Sequence, residues 1–142
     1  MATHLIAAFV ENKPGQTARI TKILADVGVN ICWVTIANSG GFSVRKFLVD
    51  KTAEAVGSLK NHGVMVSLLE VIAVEVANKP GSLQAVADCL SHSQINLDNC
   101  SGFVANNRAI LLIEAHDLAK ARTVINQQGW RVLDAQELLR LG

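Results

Sequence analysis

The chain has 142 residues, of which half are hydrophobic, 18% are charged and 4% are aromatic, and its formal net charge is +1. This composition can bury a core and excludes a disordered chain. It also argues against a nucleic-acid partner, which usually requires a basic face or aromatic stacking platforms.

The sequence shows no targeting or membrane-spanning segment. Its start, MATHLIAAFVENKPG, lacks the basic and hydrophobic regions of a signal peptide. No apolar run approaches the ~18 residues that cross a membrane. The histidines and the three cysteines, Cys32, Cys89 and Cys100, have no metal-ligand spacing. We therefore expect a cytoplasmic protein with reduced thiols, no membrane association, no metal and no cofactor.

The string N-K-P-G occurs twice, first within ENKPGQ (11–16) and again 66 positions later within ANKPGS (77–82). The same offset aligns the rest of the chain without a gap; for example, Asn30 falls on Asn96. Such self-similarity predicts two copies of one structural unit. We place the domains at residues 1–69 and 70–142, the second with a short C-terminal helix.

The first repeat alternates between strand and helix patterns. In chain order it predicts a strand at 5–10, a helix at 14–27, strands at 30–37 and 42–50 around a turn at 39–41, a helix at 52–62 and a strand at 64–69. Pro14 is expected at the first helical position, where its missing N–H is harmless. Arg45 and Lys46, in the second hairpin strand, are interpreted as a solvated strand edge.

The second repeat predicts the same order: a strand at 71–77, a helix at 80–91, strands at 96–104 and 108–115, a helix at 118–128, a strand at 130–134 and a helical tail at 135–141. Leu83, Val86 and Leu90 are expected to face inward. The fold class is therefore α+β, with two ferredoxin-like β-α-β-β-α-β units, each with an antiparallel sheet and both helices on one face.

The N-K-P-G loop leads from a strand into a helix, whose first N–H groups have no partner within the helix. Gly15 and Gly81 let a ligand approach the backbone, and a helix N-terminus suits a carboxylate. The alternative is that the loop is only turn and capping chemistry, with Asn12 and Asn78 as caps. Asn30 and Asn96 begin the next strand in both repeats; they too have an alternative role, in ending the preceding helix.

These segments, ENKPGQTARITKILADVGVNI and ANKPGSLQAVADCLSHSQINL, resemble the ACT domain family, in which a strand leads into N-x-P-G, an amphipathic helix and V-N-I. The loops resemble most the serine-binding regulatory domain of phosphoglycerate dehydrogenase. The resemblance covers essentially the whole chain as two tandem ACT domains. It implies a non-catalytic regulatory sensor that binds an amino acid at the interface between ACT units.

The resemblance also implies the binding residues, with the loop of one unit facing the V-N-I strand of another. Carried over, they are Glu11, Asn12, Lys13, Pro14, Gly15, Gln16, Asn30, Ile31, Cys32, Asn78, Lys79, Pro80, Gly81, Ser82, Leu83, Asn96, Leu97 and Asp98. The first repeat departs from the family at Thr17, where an apolar residue such as Leu83 is usual. Cys32 and Asp98 also differ at equivalent positions, so the two sites are not expected to bind alike.

Two other functions stay open: a structural or interaction subunit without a ligand, and a small ferredoxin-like enzyme. No catalytic motif supports the enzyme, so we expect none. Apolar residues on both faces of strands 71–77 and 108–115 favour a homodimer, and a separate enzyme would read the signal. If the units paired side by side through their second strands, 64–69 and 71–77 would lie far apart, and the one or two residues between them could not span that distance. Either the last strands are exchanged between the units, or the pairing through the second strands is made between chains. We favour the exchange, with 64–69 lying beside 71–77.

Overall fold

The computed structural model describes residues 2–141, which divide into two compact units. One unit is His4–Leu69, and the other contains the chain from Glu70 onward together with Thr3. We call them the first and the second unit.

The first unit has the predicted order of elements: β1 (Thr3–Glu11), α1 (Gln16–Asp26), β2 (Ile31–Ser39), β3 (Phe42–Val49), α2 (Thr52–Asn61) and the first part of β4 (Met65–Val76). The strands lie in the order β2-β3-β1-β4. β3 pairs antiparallel with β1 and with β2, so β3 is an interior strand of the sheet.

The second unit repeats this architecture with the remaining part of β4, α3 (Ser82–His92), β5 (Leu97–Ala105), β6 (Arg108–Ala115), α4 (Leu118–Gln127), β7 (Arg131–Leu133) and α5 (Ala135–Leu139). Its strands lie in the order β7-β4-β6-β5, and every pair is antiparallel. α5 begins at a capping box in which Asp134 and Glu137 satisfy each other's backbone N–H groups.

The 66-residue repeat is also a repeat of strand register. Ile6 lies opposite Phe47 in the first unit, and Ile72 lies opposite Ile113 in the second. Even the irregularity in the hairpin recurs, after Ile31 and after Leu97. Positions 66 apart can therefore be compared as structural equivalents.

Each unit has its own core between the sheet and its two helices. Ile20 and Leu24 of α1 and Leu59 of α2 pack on β1 and β3 in the first unit. Val86 and Leu90 of α3 and Ile125 of α4 occupy the same places in the second unit. Both helices therefore lie on one face of each sheet, which confirms the predicted ferredoxin-like fold.

Two expectations about the starts of α1 and α3 were wrong. Pro14 and Pro80 lie in turns, and the helices begin two residues later, with Gly15 and Gly81 as N-caps. Leu83 does not face inward: it is 53% exposed, because it lies in the first turn of α3, at the edge of the core.

The exchange of strands was the third wrong expectation. Residues 64–69 do not lie beside 71–77, because β4 is one continuous strand of 12 residues that contains most of both segments. Because the two segments follow one another along one strand, no short connection has to span a distance between them, and no exchange is needed.

Candidate functional site

The two N-K-P-G loops, 12–15 and 78–81, have nearly the same backbone. Gly15 has φ 90° and ψ −11°, and Gly81 has φ 88° and ψ −7°, a left-handed conformation that favours glycine. The N–H of Lys13 donates to the carbonyl of Glu11, and that of Lys79 to the carbonyl of Ala77, both at 3.0 Å. We call these segments the first and the second loop.

Neither helix that follows a loop has a side-chain cap. Asn12 and Asn78 therefore do not cap these helices, whereas both loops do form turns, as the same alternative expects. The first N–H groups of an uncapped helix point out of its end with partial positive charge. Both loops can thus offer donors to an anionic group.

The predicted loop residues are accessible to a ligand. Exposed positions are Glu11, Asn12, Lys13, Pro14, Gly15, Asn78, Lys79, Pro80, Gly81 and Leu83. Gln16 and Ser82, the first residues of the two helices, are half-buried, and their side-chain oxygens are buried without a hydrogen-bond partner. A buried polar atom without a partner is costly, so both loops carry unsatisfied polar groups.

The surroundings of the two loops differ. A cavity of about 410 Å³ beside the first loop is lined by Lys13, Pro14, Gly15, Gln16 and Arg19. A cavity of about 270 Å³ beside the second loop extends from the loop onto β5 and β6 and is lined by Val76, Ala77, Asn78, Lys79, Ser82, Leu83, Gly102, Phe103, Val104, Ala109, Ile110 and Leu111. We call this second cavity the second-loop cleft.

Asn30 lies at the other end of α1 from the first loop. Its backbone N–H donates to Oδ1 of Asp50 at 2.9 Å, and its side-chain amide lies 3.9 Å from the sulfur of Cys32. Partial desolvation and, next, the negative charge of Asp50 raise the pKa of the Cys32 thiol. Ile31 is half-buried against the core and offers little to a ligand.

Asn96 lies at the corresponding end of α3. A cavity of about 510 Å³ there is lined by Gln94, Ile95, Asn96, Asp98, His116, Asp117 and Lys120. Leu97 is half-buried against the core, as Ile31 is in the first unit. Carboxylates therefore accompany the asparagine in both units: Asp50 in the first, and Asp98 and Asp117 in the second.

The structure does not bring a loop and an asparagine of the same unit together. α1 and α3 each have 11 residues, and such a helix is about 16 Å long at 1.5 Å per residue. One small ligand cannot span that distance. Each unit thus presents two separate halves of the predicted site, one at each helix end.

Arg45 is the residue near the first loop that sequence reasoning missed. It is only 5% exposed and lies on an interior strand, so the interpretation of Arg45 as a solvated strand edge was wrong. Its Nε donates to the hydroxyl of Thr17 at 2.7 Å, while its Nη1 is buried without a partner. The alternation of side chains between the two faces of β3 could have predicted this burial. Alternate residues share one face, and Ser43 and Arg45 are in phase with Phe47 and Val49, which face the core.

A sequence profile of the ACT domain pair family matches residues 1–141. The chain belongs to this family. The solved structure of a protein from Bacteroides thetaiotaomicron is similar to this ACT domain pair, with a TM-score of 0.91 at 26% identity over 97% of this chain and 96% of that one.

Regulatory subunits of aspartate kinase have a similar fold. The subunit from Thermus thermophilus aligns with a TM-score of 0.64 at 18% identity, over 88% of this chain and 91% of that one. The subunit from Thermus flavus aligns with a TM-score of 0.58 at 16% identity, over 89% and 93%. No curated protein sequence matches this chain.

Among residues 2–141, no group of three or more histidine, cysteine, aspartate or glutamate side chains could hold a metal ion. No helix in the same part of the chain combines the length and apolarity needed to cross a membrane.

Proposed function

We propose that this ACT domain pair is a non-catalytic regulatory sensor that binds a free amino acid between ACT units. The units are residues 1–69 and 70–142, and the binding residues are those predicted from the sequence. The observation that carries the proposal is the opposite polarity of the two helix ends in each unit. The loop end offers uncapped N–H groups, whereas the asparagine end carries carboxylates.

A free amino acid is complementary to such a pair of ends. Its carboxylate would accept hydrogen bonds from the loop end, where helix N–H groups and a lysine are present. Its ammonium group would meet the asparagine oxygen and the carboxylate of the other end. Hydrogen bonds to charged groups contribute about 1.5–3 kcal/mol each, so two or three are enough for a small ligand.

Because the two halves lie at opposite ends of one helix, the ligand would be held by the loop of one unit and the asparagine of another. We propose that two copies of the chain pair and that a separate enzyme reads the occupied state. Two of the structural neighbours are named as regulatory subunits of aspartate kinase. The likeness to them is one of fold, so it supports no particular enzyme.

A thermal-shift screen of the twenty amino acids tests this function. A ligand at 100 times its Kd adds about 2.7 kcal/mol of stability, which corresponds to about 5–10 °C in Tm for a chain of this size. Asn78→Ala or Asn12→Ala should remove the shift. Asn126→Ala is the matched control, because Asn126 is an exposed asparagine away from both loops.

Two results would contradict the proposal. If no amino acid at millimolar concentration shifts the Tm, the chain is an interaction subunit without a ligand. If a shift occurs and survives both loop substitutions, the ligand binds elsewhere.

A further inference from the structure

The second-loop cleft has one polar end and one apolar wall. Leu83 and Val104 stand at its rim, and both are more than half exposed. The wall behind them is formed by Ala109 and Leu111 of β6, which belong to the core of the second unit. Exposed apolar side chains around a concave surface are typical of a ligand site.

The equivalent place in the first unit is polar at each of these four positions. In the order Leu83, Val104, Ala109 and Leu111, the equivalents are Thr17, Asn38, Ser43 and Arg45. The pairing of the strands is the same, since Asn38 lies opposite Ser43 and Val104 opposite Ala109. The change is concerted: four side chains that face the same region of the fold all change from apolar to polar.

Arg45 explains how the first unit uses that space. Its side chain is buried and held by Thr17, so the long guanidinium side chain occupies the region that Leu111 leaves open in the second unit. The cavity of the first unit accordingly stays on the loop and α1 and has no lining residue from β2 or β3. An apolar ligand group would have to displace a buried arginine there.

Gly102 keeps the second-loop cleft open. A Cβ at this position would lie 3.1 Å from Cδ2 of Leu111, which is closer than ordinary van der Waals contact. The first unit has Ile36 at the equivalent position. The glycine therefore removes a side chain from the wall of the second-loop cleft, where the first unit keeps one.

The polar end of the second-loop cleft suits a carboxylate. It contains Asn78, Lys79 and Ser82, beside the uncapped N-terminus of α3. The hydroxyl oxygen of Ser82 is buried and has no hydrogen-bond partner in the protein. A ligand that places a carboxylate here would extend its other end along the apolar wall.

We propose that the second-loop cleft selects an amino acid with an apolar side chain and that Arg45 excludes the same ligand from the first unit. The inference rests on the proposed function, since it assumes that the ligand is an amino acid. It assigns the ligand class and predicts one such site for each chain.

Isothermal titration calorimetry with leucine, phenylalanine, aspartate, serine and lysine tests the inference. Leucine or phenylalanine should bind with one site per chain, at least tenfold more tightly than the other three amino acids. Leu83→Thr should weaken this binding about tenfold, since it removes most of a buried apolar contact. Gln84→Thr is the control, because Gln84 is exposed on the same helix and does not line the cleft.

The first unit provides the reciprocal change. Arg45→Leu combined with Thr17→Leu gives it two of the four apolar side chains of the second unit. This variant should bind leucine in the first unit as well, while the leucine affinity of the second-loop cleft stays unchanged. Circular dichroism checks the fold of each variant. Should a variant fail to fold, Gly102→Ala replaces it, and its added methyl group should weaken leucine binding about tenfold.

The outcomes separate this inference from the proposed function. Tightest binding of aspartate, serine or lysine would overturn the apolar selection while the sensor function stands. Two equal leucine sites per chain, or full affinity in both Leu83→Thr and Gly102→Ala, would overturn it as well. If none of the twenty amino acids binds, the proposed function itself fails and the inference fails with it.

Discussion

The two N-K-P-G loops share a backbone and differ in the walls around it. Gly15 and Gly81 agree within 4° in both φ and ψ, so the chain enters both helices through the same left-handed turn, although the N–H of Ser82 donates to the carbonyl of Lys79 at 3.3 Å. Beside them, Arg45 and Thr17 stand where the second unit has Leu111 and Leu83. The backbone that meets a carboxylate is thus common to both units, whereas the side chains that would distinguish ligands are not.

Two of the polar residues that distinguish the first unit from the second, Thr17 and Arg45, depend on one another. A buried guanidinium without a hydrogen-bond acceptor is costly, and the hydroxyl of Thr17 provides one at 2.7 Å. Leucine at position 17 would leave Nε without this partner. The departure from the family pattern at Thr17 is therefore explained by its partner on β3.

The largest expected loss of stability comes from placing an arginine at the position of the second unit that is equivalent to Arg45. Leu111 is buried, and its neighbour Leu83 has no acceptor, so Leu111→Arg should destabilise the protein by about 3–5 kcal/mol. Urea unfolding measures the loss. The reverse change, Arg45→Leu, is the matched control and should cost less than about 1 kcal/mol, because an apolar residue replaces a buried charge well.

A double-mutant cycle sharpens this comparison. Leu83→Thr added to Leu111→Arg should recover about 1–2 kcal/mol, since it rebuilds the pair of Arg45 and Thr17. Additivity of the two changes in unfolding free energy would show that the threonine does not support the arginine.

Because the two loops have the same backbone conformation, replacing the glycine of either loop should destabilise the protein equally. Gly15→Ala and Gly81→Ala should each cost about 1–2 kcal/mol, because an alanine is strained at these positive φ angles. An added Cβ meets no atom within 4 Å at either position, so strain alone sets the cost. Unfolding free energies from urea denaturation that differ by more than about 0.5 kcal/mol between the two variants would refute the equivalence of the loops.

The smallest expected effect concerns the helix ends near Asn30 and Asn96, where Cys32 and Asp98 occupy equivalent positions in the two repeats. Because the pKa of the Cys32 thiol is raised, less thiolate is present at pH 8, and alkylation by iodoacetamide should be slower than that of a free cysteine. Its rate should increase as the pH rises through 9 and above. Asp50→Asn removes a negative charge that raises this pKa, so the alkylation rate at pH 8 should increase.

Site-resolved mass spectrometry measures the alkylation rate of Cys32. Lys60→Gln, a change of charge at an exposed residue elsewhere in the first unit, serves as the control. A rate that does not change in Asp50→Asn would show that the carboxylate does not influence the thiol.

The sequence predicted the fold well because each unit is encoded by local patterns. Apolar spacing along α1 and α3, turn residues between the hairpin strands and the gapless repeat predicted the described helices and the strand order within each unit, whereas the expected exchange of last strands between the units was wrong. The repeat also fixed equivalent positions, which the register of Ile6 with Phe47 and Ile72 with Ile113 bears out.

The parts that could not be read from the sequence depend on tertiary contacts. Pro14 is compatible with a first helical position, but the left-handed Gly15 that follows it delays the helix. Arg45 appeared solvated because its type is usually exposed, and only the interior position of β3 buries it. The exposure of Leu83 depends on where the sheet edge ends relative to α3, which periodicity does not report.

The most direct test of the account is whether the helix N–H groups behind the second loop meet the carboxylate of the ligand. Amide chemical shifts of the ¹⁵N-labelled protein can be followed during titration with leucine and with leucinamide, which lacks the carboxylate. The account predicts that leucine shifts the amides from Gly81 to Gln84 strongly and those from Gly15 to Ala18 weakly, and that leucinamide shifts neither group. Equal shifts with leucinamide, or none at Gly81 to Gln84 with leucine, would contradict it.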